Sequence, residues 1–286
     1  MAGTLYVVGT PIGNLGDITR RAVETLQRAD RIIAEDTRRT RALLSHLGIH
    51  GKPLQCVEAH SDPHRIRQVV ESLLVGQNVA LVTDAGMPAI SDPGARLVSV
   101  ATAENIAVQV VPGPSAVTAA LSLSGIVEGP FYFLGFLPRE AKRRRAAVAR
   151  LIQCPDAVVL FESPHRIAAT LRELAEHQPA RSAVVCRELT KLHEEVRRGT
   201  LASLAGEAMQ SRGEFVLVLG THELDELQPT NHDGISDETL LEKLNQGQSP
   251  RTILEELGAT GHGRRELYSR LIGLADSIIS DDATSQ

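Results

Sequence analysis

Four apolar residues, Val79 to Val82, run without a break into a segment that places Asp84, Gly86, Pro88, Ser91, Asp92, Pro93 and Gly94 within eleven positions. A short unbroken apolar run of this kind is the signature of a strand buried on both faces of a parallel sheet. Its abrupt end in Asp, Gly and Pro describes a loop whose backbone bends at fixed places rather than a flexible connection. In open parallel sheets, ligands bind beyond the carboxyl ends of the strands. The stretch Asn78 to Gly94 therefore restricts the chain to an α/β architecture and is the first candidate for a site.

The same unit recurs on either side. Leu5–Val8 reads as a strand, followed by GTPIGNLGD and a helical stripe at Ile18, Ala22, Val23 and Leu26. Glycines 9, 13 and 16 lack the G-x-G-x-x-G spacing, and no lysine follows as a phosphate-cradling loop requires, so the loop predicts close backbone approach beside Pro11 rather than nucleotide binding. Arg31–Ala34 is a second strand. It ends in EDTRRTR, where Glu35 and Asp36 share a rim with Arg38, Arg39 and Arg41; Asp36 or Thr37 also suits a helix N-cap. Leu54–Val57 is a weak third strand, His60–Gly76 a helix, and a further helix runs through Leu97, Val98 and Val100. Val108–Val111 ends in Pro112, Gly113 and Pro114, after which Ser115 is placed to cap a helix of small residues whose N-terminal N–H groups face the same sheet edge.

Gly125–Pro130 has the composition of a domain junction. Beyond it come five strand-like runs, Phe131–Gly135, Ala157–Glu162, Ala183–Glu188, Glu195–Thr200 and Phe215–Gly220, with two helices among them. The later runs leave little room for crossover helices, which predicts a mixed or partly antiparallel sheet. Between the first two lies REAKRRRAAVAR, the densest basic run of the chain. Lys142, Arg143 and Arg144 in it, with Arg38 and Arg39, are RNA-contact candidates as well as candidates for a solvated helix face. Residues 221–235 read as a polar linker, and helices are expected over 237–245, 250–257 and 263–279. The expected organisation is two α/β domains, 1–125 with a mainly parallel sheet and 126–222 with a mixed one, a cleft between them, and a small helical appendage over 235–280.

Charge separates the appendage from the rest. Residues 228–286 hold five Lys or Arg against ten Asp or Glu, so the net charge of −5 belongs to the tail and the remainder is balanced at 25 against 25. A nucleic-acid partner would have to be held by local basic patches. No apolar run reaches the roughly 18 residues of a membrane span, and MAGTLYVVGTP lacks a basic leader, which predicts a cytoplasmic protein without a membrane partner. Cys56, Cys154 and Cys186 and the ten histidines show no metal-ligand spacing, so no metal site is expected.

Taken together, VGTPIGNLGDIT, AEDTRRT, LVTDAGMPAISDPG, PGPSAVTAAL, FLGFLPR, FESPHRI and RELTKLHEEVRRG resemble the tetrapyrrole-methylase-type methyltransferases. Within that superfamily they are similar to the branch that methylates the ribose 2′-O of a decoding-centre cytidine in 16S ribosomal RNA. The resemblance covers about residues 4–220. It implies S-adenosylmethionine bound in a cleft between two α/β domains, the small ribosomal subunit or its RNA as partner, and a homodimer. Carried onto this chain, it implies that Pro11, Asp84, Ala85, Met87, Pro88, Ile90, Ser91, Ser115 and Ala116 line the cofactor. From the second domain Phe161 with Glu162, Leu189, and Glu214 with Phe215 close over it. Corrin-type relatives usually carry Gly-Asp-Pro where this chain has Thr83, Asp84 and Ala85, a departure that favours an RNA substrate.

Methylation of a neutral hydroxyl gains from a base that removes its proton. Glu35 and Asp36 at a strand end are the leading base candidates, with Lys191 as an alternative stabiliser. Two other functions remain open from the residues alone: methylation of a precorrin-type tetrapyrrole, and non-catalytic RNA binding in assembly. Aromatic content is 3%, so stacking on single-stranded RNA would fall to Tyr132, Phe133 and Phe136.

Overall fold

The computed structural model describes residues 2–57, 63–90, 94–222, 237–246, 248–256, 267, 268, 270–272 and 274. Residues 1–222 form one compact unit and residues 223–286 a second.

The first sheet contains β1 (Thr4–Val8), β2 (Arg31–Ala34), β3 (Leu54–Cys56), β4 (Val79–Leu81) and β5 (Ala107–Val111) in the order β3-β2-β4-β1-β5. Every pairing in it is parallel. Alternation along the strands assigns the two faces. Leu5, Val7, Ile33, Val79 and Leu81 pack under α3 (Pro63–Leu74) and α4 (Gly94–Ala103). Val8, Ile32, Ala34, Ala80 and Val82 pack under α1 (Arg20–Arg28) and α2 (Thr37–His46). Both faces are covered by helices, which explains the unbroken apolar run at β4.

The second sheet contains β6 (Phe131–Phe136), β7 (Ala157–Glu162), β8 (Ser182–Arg187), β9 (Glu195–Thr200) and β10 (Phe215–Leu219) in the order β6-β7-β10-β8-β9. It is mixed: β6 and β7 are parallel, and the other three pairings are antiparallel. One face carries α6 (Ala141–Ile152), α7 (Ile167–His177) and α8 (Leu201–Ala205) over Val158, Leu160, Val185 and Leu217. The five-residue α8, closed by reciprocal Thr200 and Ser203 hydrogen bonds, is a third helix where the sequence suggests two.

The halves are joined by α5 (Ala116–Ser124), which follows β5 but lays Val117 and Ala120 against Val159, Val184, Val216 and Val218 on the other face of the second sheet. Burying that apolar layer fixes the carboxyl edge of the first sheet against the second. In the second unit, α9 (Asp237–Asn245) and α10 (Pro250–Glu256) are described, with a core of Leu240, Ile253, Leu254, Leu267 and Leu271. Of the helix expected over 263–279, only residues 267, 268, 270–272 and 274 are described, all helical; the 223–235 part of the expected linker lies outside the described residues. No helix among the described residues is long and apolar enough to cross a membrane.

Candidate active site

Three loops leave the carboxyl ends of adjacent strands β4, β1 and β5, and main chain joins them. Thr10 N–H donates to Gly86 O at 2.9 Å and Gly86 N–H donates back to Thr10 O at 3.1 Å. Gly9 lies so close to Gly113 that a Cβ on Gly9 would sit 2.7 Å from the Gly113 Cα, nitrogen, and also the Met87 sulfur. Gly86 adopts φ 83°, the left-handed region open to glycine. The expectation of close backbone approach at the end of β1 is thus met by Gly9, and its partner is the PGP turn.

These loops, α5 and the ends of β7, β8 and β10 enclose a cavity of about 460 Å³, within the roughly 300–1,000 Å³ of small-molecule sites. Of the residues anticipated for a cofactor, it brings together Asp84, Ala85, Met87, Ile90, Ser115, Ala116, Phe161, Glu162, Leu189, Glu214 and Phe215. Pro11 and Pro88 are buried but do not line it; their neighbours Ile12 and Met87 do. Ser91 lies outside the described residues. Ile12, Thr83, Gly86, Phe136, Ser163 and Gly213 line it without having been anticipated as cofactor contacts. Ile12, Gly86 and Ser163 sit one or two positions from anticipated residues, so the motif, not the residue within it, was the legible signal.

Ser115 occupies the N-cap of α5, yet its side chain makes no capping hydrogen bond, contrary to the expected cap. The first turn of α5 therefore presents N–H groups and a hydroxyl to the cavity, which Ser115, Ala116 and Val117 line. Such an end suits a carboxylate.

Opposite kinds of charge meet at the β2 and β4 ends. Thr83 Oγ1 donates to Glu35 Oε2 at 2.7 Å, and Asp36 N–H donates to Asp84 Oδ1 at 3.0 Å. Arg39 Nη1 stands 3.4 Å from Asp84 Oδ2. Burial, and then the neighbouring Glu35 charge, raise the Asp84 pKa above the ordinary aspartate value. Asp36 is different. Its carboxylate caps α2 by accepting from Arg38 N–H at 2.8 Å and pairs with Arg38 Nη2 at 3.0 Å. The Arg38 side-chain hydrogen bond leads the causes that lower its pKa to about 2. Asp36 is also absent from the cavity lining and caps α2, whereas Glu35 lines the cavity.

Lys191 does not line the cavity either. Its Nζ donates to Glu188 Oε1 at 2.9 Å and Glu214 Oε2 at 3.0 Å. Burial pulls the ammonium pKa down, but the two carboxylates outweigh it and the net shift is upward. A lysine held protonated in this way braces Glu214 in the wall. The loop that carries it is in turn gripped by the first loop: Asn14 N–H donates to Thr190 Oγ1 at 3.1 Å, and a Cβ on Gly13 would meet the Lys191 Cγ at 2.5 Å.

Among the basic candidates, Arg38 and Arg39 are largely exposed beside Asp36 and Asp84. Lys142 is exposed, and Arg143 pairs with Glu140 one helical turn away at 3.1 Å. Arg144 is placed differently from its neighbours in the run. Only 18% of its side chain is exposed, and its guanidinium binds Glu173 Oε2 at 2.6 Å and Thr170 Oγ1 at 3.0 Å, with fully buried Glu162 3.9 Å away. Residues 144, 148 and 151 share the buried stripe of α6, a spacing that assigns Arg144 inward. Glu162 is held further by Arg166 Nη2 at 2.7 Å and by Thr170 Oγ1, which donates at 2.8 Å.

A model of the family described as Tetrapyrrole (Corrin/Porphyrin) Methylases matches residues 4–205. A protein of Neisseria meningitidis (strain Z2491) named ribosomal RNA small subunit methyltransferase I is 44% identical over 94% of this chain and 92% of that protein. A Thermotoga maritima protein of the same name is 45% identical over 77% of this chain and 100% of its own length, so it has no counterpart to the rest. Among solved structures, a diphthine synthase superposes with a TM-score of 0.60 at 17% identity, over 77% of this chain and 91% of that one. A uroporphyrin-III-C-methyltransferase from Thermus thermophilus superposes with a TM-score of 0.53 at 20% identity, over 76% and 94%, and these likenesses show the fold alone. The match over most of both sheets, with the cavity between them, makes this chain a methyltransferase of the tetrapyrrole (corrin/porphyrin) methylase family.

Proposed function

We propose that this protein methylates the ribose 2′-O of a cytidine in 16S ribosomal RNA of the small subunit, with S-adenosylmethionine as methyl donor. The substrate class comes from what the similar proteins are named for. The chemistry is supported by one observation: an open helix N-terminus and a carboxylate of raised pKa line the same 460 Å³ cavity.

The first turn of α5, with the Ser115 hydroxyl, offers donors to an amino-acid carboxylate, and Ile12, Met87, Phe161 and Leu189 offer apolar surface to a nucleoside. S-adenosylmethionine supplies a methyl group on a sulfonium, an electrophile that needs no metal. Asp84 is our choice of base. Its raised pKa makes it a better proton acceptor than Asp36, Glu35 beside it sustains that shift, and Arg39 and the Asp36 N–H hold its two oxygens in place. Asp84 would take the ribose 2′-O proton, and the cofactor held by the α5 end and the apolar wall would supply the methyl group to that oxygen. Positioning of the reactants accounts for much of the remaining acceleration. We place the enzyme in the cytoplasm with its ribosomal substrate, as a homodimer; half-exposed Val110 and Leu123 are apolar residues that a second copy would cover.

The test is incubation with labelled S-adenosylmethionine and unmodified small ribosomal subunits, or with a precorrin, followed by nucleoside analysis. Label in 2′-O-methylcytidine is expected. Label only in the tetrapyrrole, or none in either substrate, overturns the reading.

A further inference from the structure

Strand β6 breaks register with β7. Phe133 pairs with Val159, but Gly135 pairs with Leu160 and Phe136 with Phe161, so one extra residue is inserted at Leu134. Gly135 has φ 70°, the left-handed conformation that such a bulge requires and glycine supplies without strain. Side chains alternate along a strand, and without the insertion Phe136 would face the α6–α7 core, as Leu134 and Leu137 do. With it, Phe136 turns to the opposite face, the one that carries Phe161, its register partner on β7. The ring lies 5.5 Å from that of Phe161 at a 57° tilt, lines the cavity, and remains 56% exposed.

A large aromatic residue turned out of a core, leaving more than half its surface in water, has lost most of the stabilisation that burial would give it. The backbone that follows is held firmly. Arg166, already paired with buried Glu162, donates from Nη1 to Leu137 O at 3.0 Å. The chain then passes Arg139 and enters α6, and Arg139 and Lys142 are exposed and stay out of the ion pairs that engage Arg143 and Arg144 among the described residues. An exposed ring on a rigid support, followed directly by free cations, is how proteins hold an unstacked base and its phosphates.

We infer that Phe136 is a stacking platform for a nucleobase of the RNA substrate at the cavity mouth, with Arg139 and Lys142 contacting the flanking phosphates. The inference rests on the RNA-methylating reading above. It identifies a substrate-positioning residue that composition alone could not single out from the other phenylalanines.

The test compares wild type with Phe136→Ala, Phe136→Leu and Phe136→Trp. It measures steady-state methylation of small ribosomal subunits, S-adenosylmethionine affinity by calorimetry, and thermal melting of each variant. Alanine and leucine are expected to raise KM for the particle by about ten- to a hundredfold, the loss of one base–aromatic stack. Cofactor affinity should stay within about twofold, and tryptophan should restore the particle KM. An unchanged particle KM in the alanine variant overturns the inference, as does a fall in cofactor affinity that accounts for the defect. Leucine performing as well as tryptophan would make the residue an apolar wall and would also overturn it. A wild-type protein that methylates no RNA would remove the underlying reading instead, so the two failures are distinguishable.

Discussion

Along the parallel sheet the loops after β1, β4 and β5 meet main chain against main chain, with Gly9 on Gly113 and Thr10 bridged to Gly86, while the titratable Glu35, Arg39 and Asp84 stand apart at the β2 and β4 ends. Along the mixed sheet the cavity wall is side chain against side chain: Glu162 is held by Arg166 and Arg144, and Glu214 by Lys191. A wall of backbone is set by the absence of side chains, does not titrate, and fails by collision. A wall of ion pairs is set by charge balance, and it fails when one partner is removed or protonated.

The largest effect expected is on the charged wall. Arg166→Met leaves the Glu162 carboxylate, whose side chain is 0% exposed, with Arg144 as its nearest remaining cation and only the Thr170 hydroxyl and the Ser163 N–H as donors. Unfolding in urea should show a loss of about 3 kcal/mol, the low end for breaking a buried pair, and Arg166→Met with Glu162→Met should recover most of it. If the single variant costs nothing, the ion cluster does not hold this wall.

Next comes the backbone wall. Gly9→Ala sets a methyl against Gly113 main chain, with no flexible side chain free to yield on that side, and should cost about 1–3 kcal/mol and weaken S-adenosylmethionine binding. Gly129→Ala, where an added Cβ meets nothing within 4 Å, serves as control and should be neutral. Equal behaviour of the two variants would erase the distinction between the walls.

A smaller effect separates them by pH. Burial pushes the Glu188 carboxyl up, but Lys191 and the Glu214 N–H more than compensate, so its folded pKa lies below the ordinary 4.5. The stability it contributes is therefore present above pH 4.5 and is lost as pH falls through the lowered value. Lys191→Met should flatten this acid dependence, by about 0–1 kcal/mol because water reaches the pair, while Gly9→Ala should leave it unchanged. Urea midpoints at neutral and acid pH measure both. Smallest of all should be the effect of ending the chain at Leu227. All the described lining residues precede that point, so calorimetry should find cofactor affinity unaltered.

Much of this was legible in the sequence because each half follows a simple period. β2, β7 and β9 begin and end where alternation and composition place them, and the mixed second sheet follows from the short spacing between its later strands. Motif loops were legible as loops, but which residue of each would face the cavity was not, as Pro11 and Pro88 show against Ile12 and Met87. The bulge at Leu134 was hidden because FYFLGF reads equally well in either register. Arg144 stood in a basic run that looks solvent-facing until its spacing from Val148 and Leu151 is weighed more heavily than its charge. Asp36 shows the converse ambiguity, since a short acidic side chain at a helix start suits capping as well as a catalytic role, and the structure uses it as a cap.

The central assignment of the mechanism is Asp84 as the group that takes the ribose proton. Single-turnover methylation of small ribosomal subunits by Asp84→Asn, at saturating S-adenosylmethionine, tests it most directly. Asparagine keeps an acceptor for the Asp36 N–H and removes a carboxylate whose ionisation the fold disfavours, so melting should not fall. The account predicts a rate lower by about a hundred- to ten-thousandfold with cofactor affinity retained. A rate equal to wild type, with the variant folded and the cofactor bound, would contradict it.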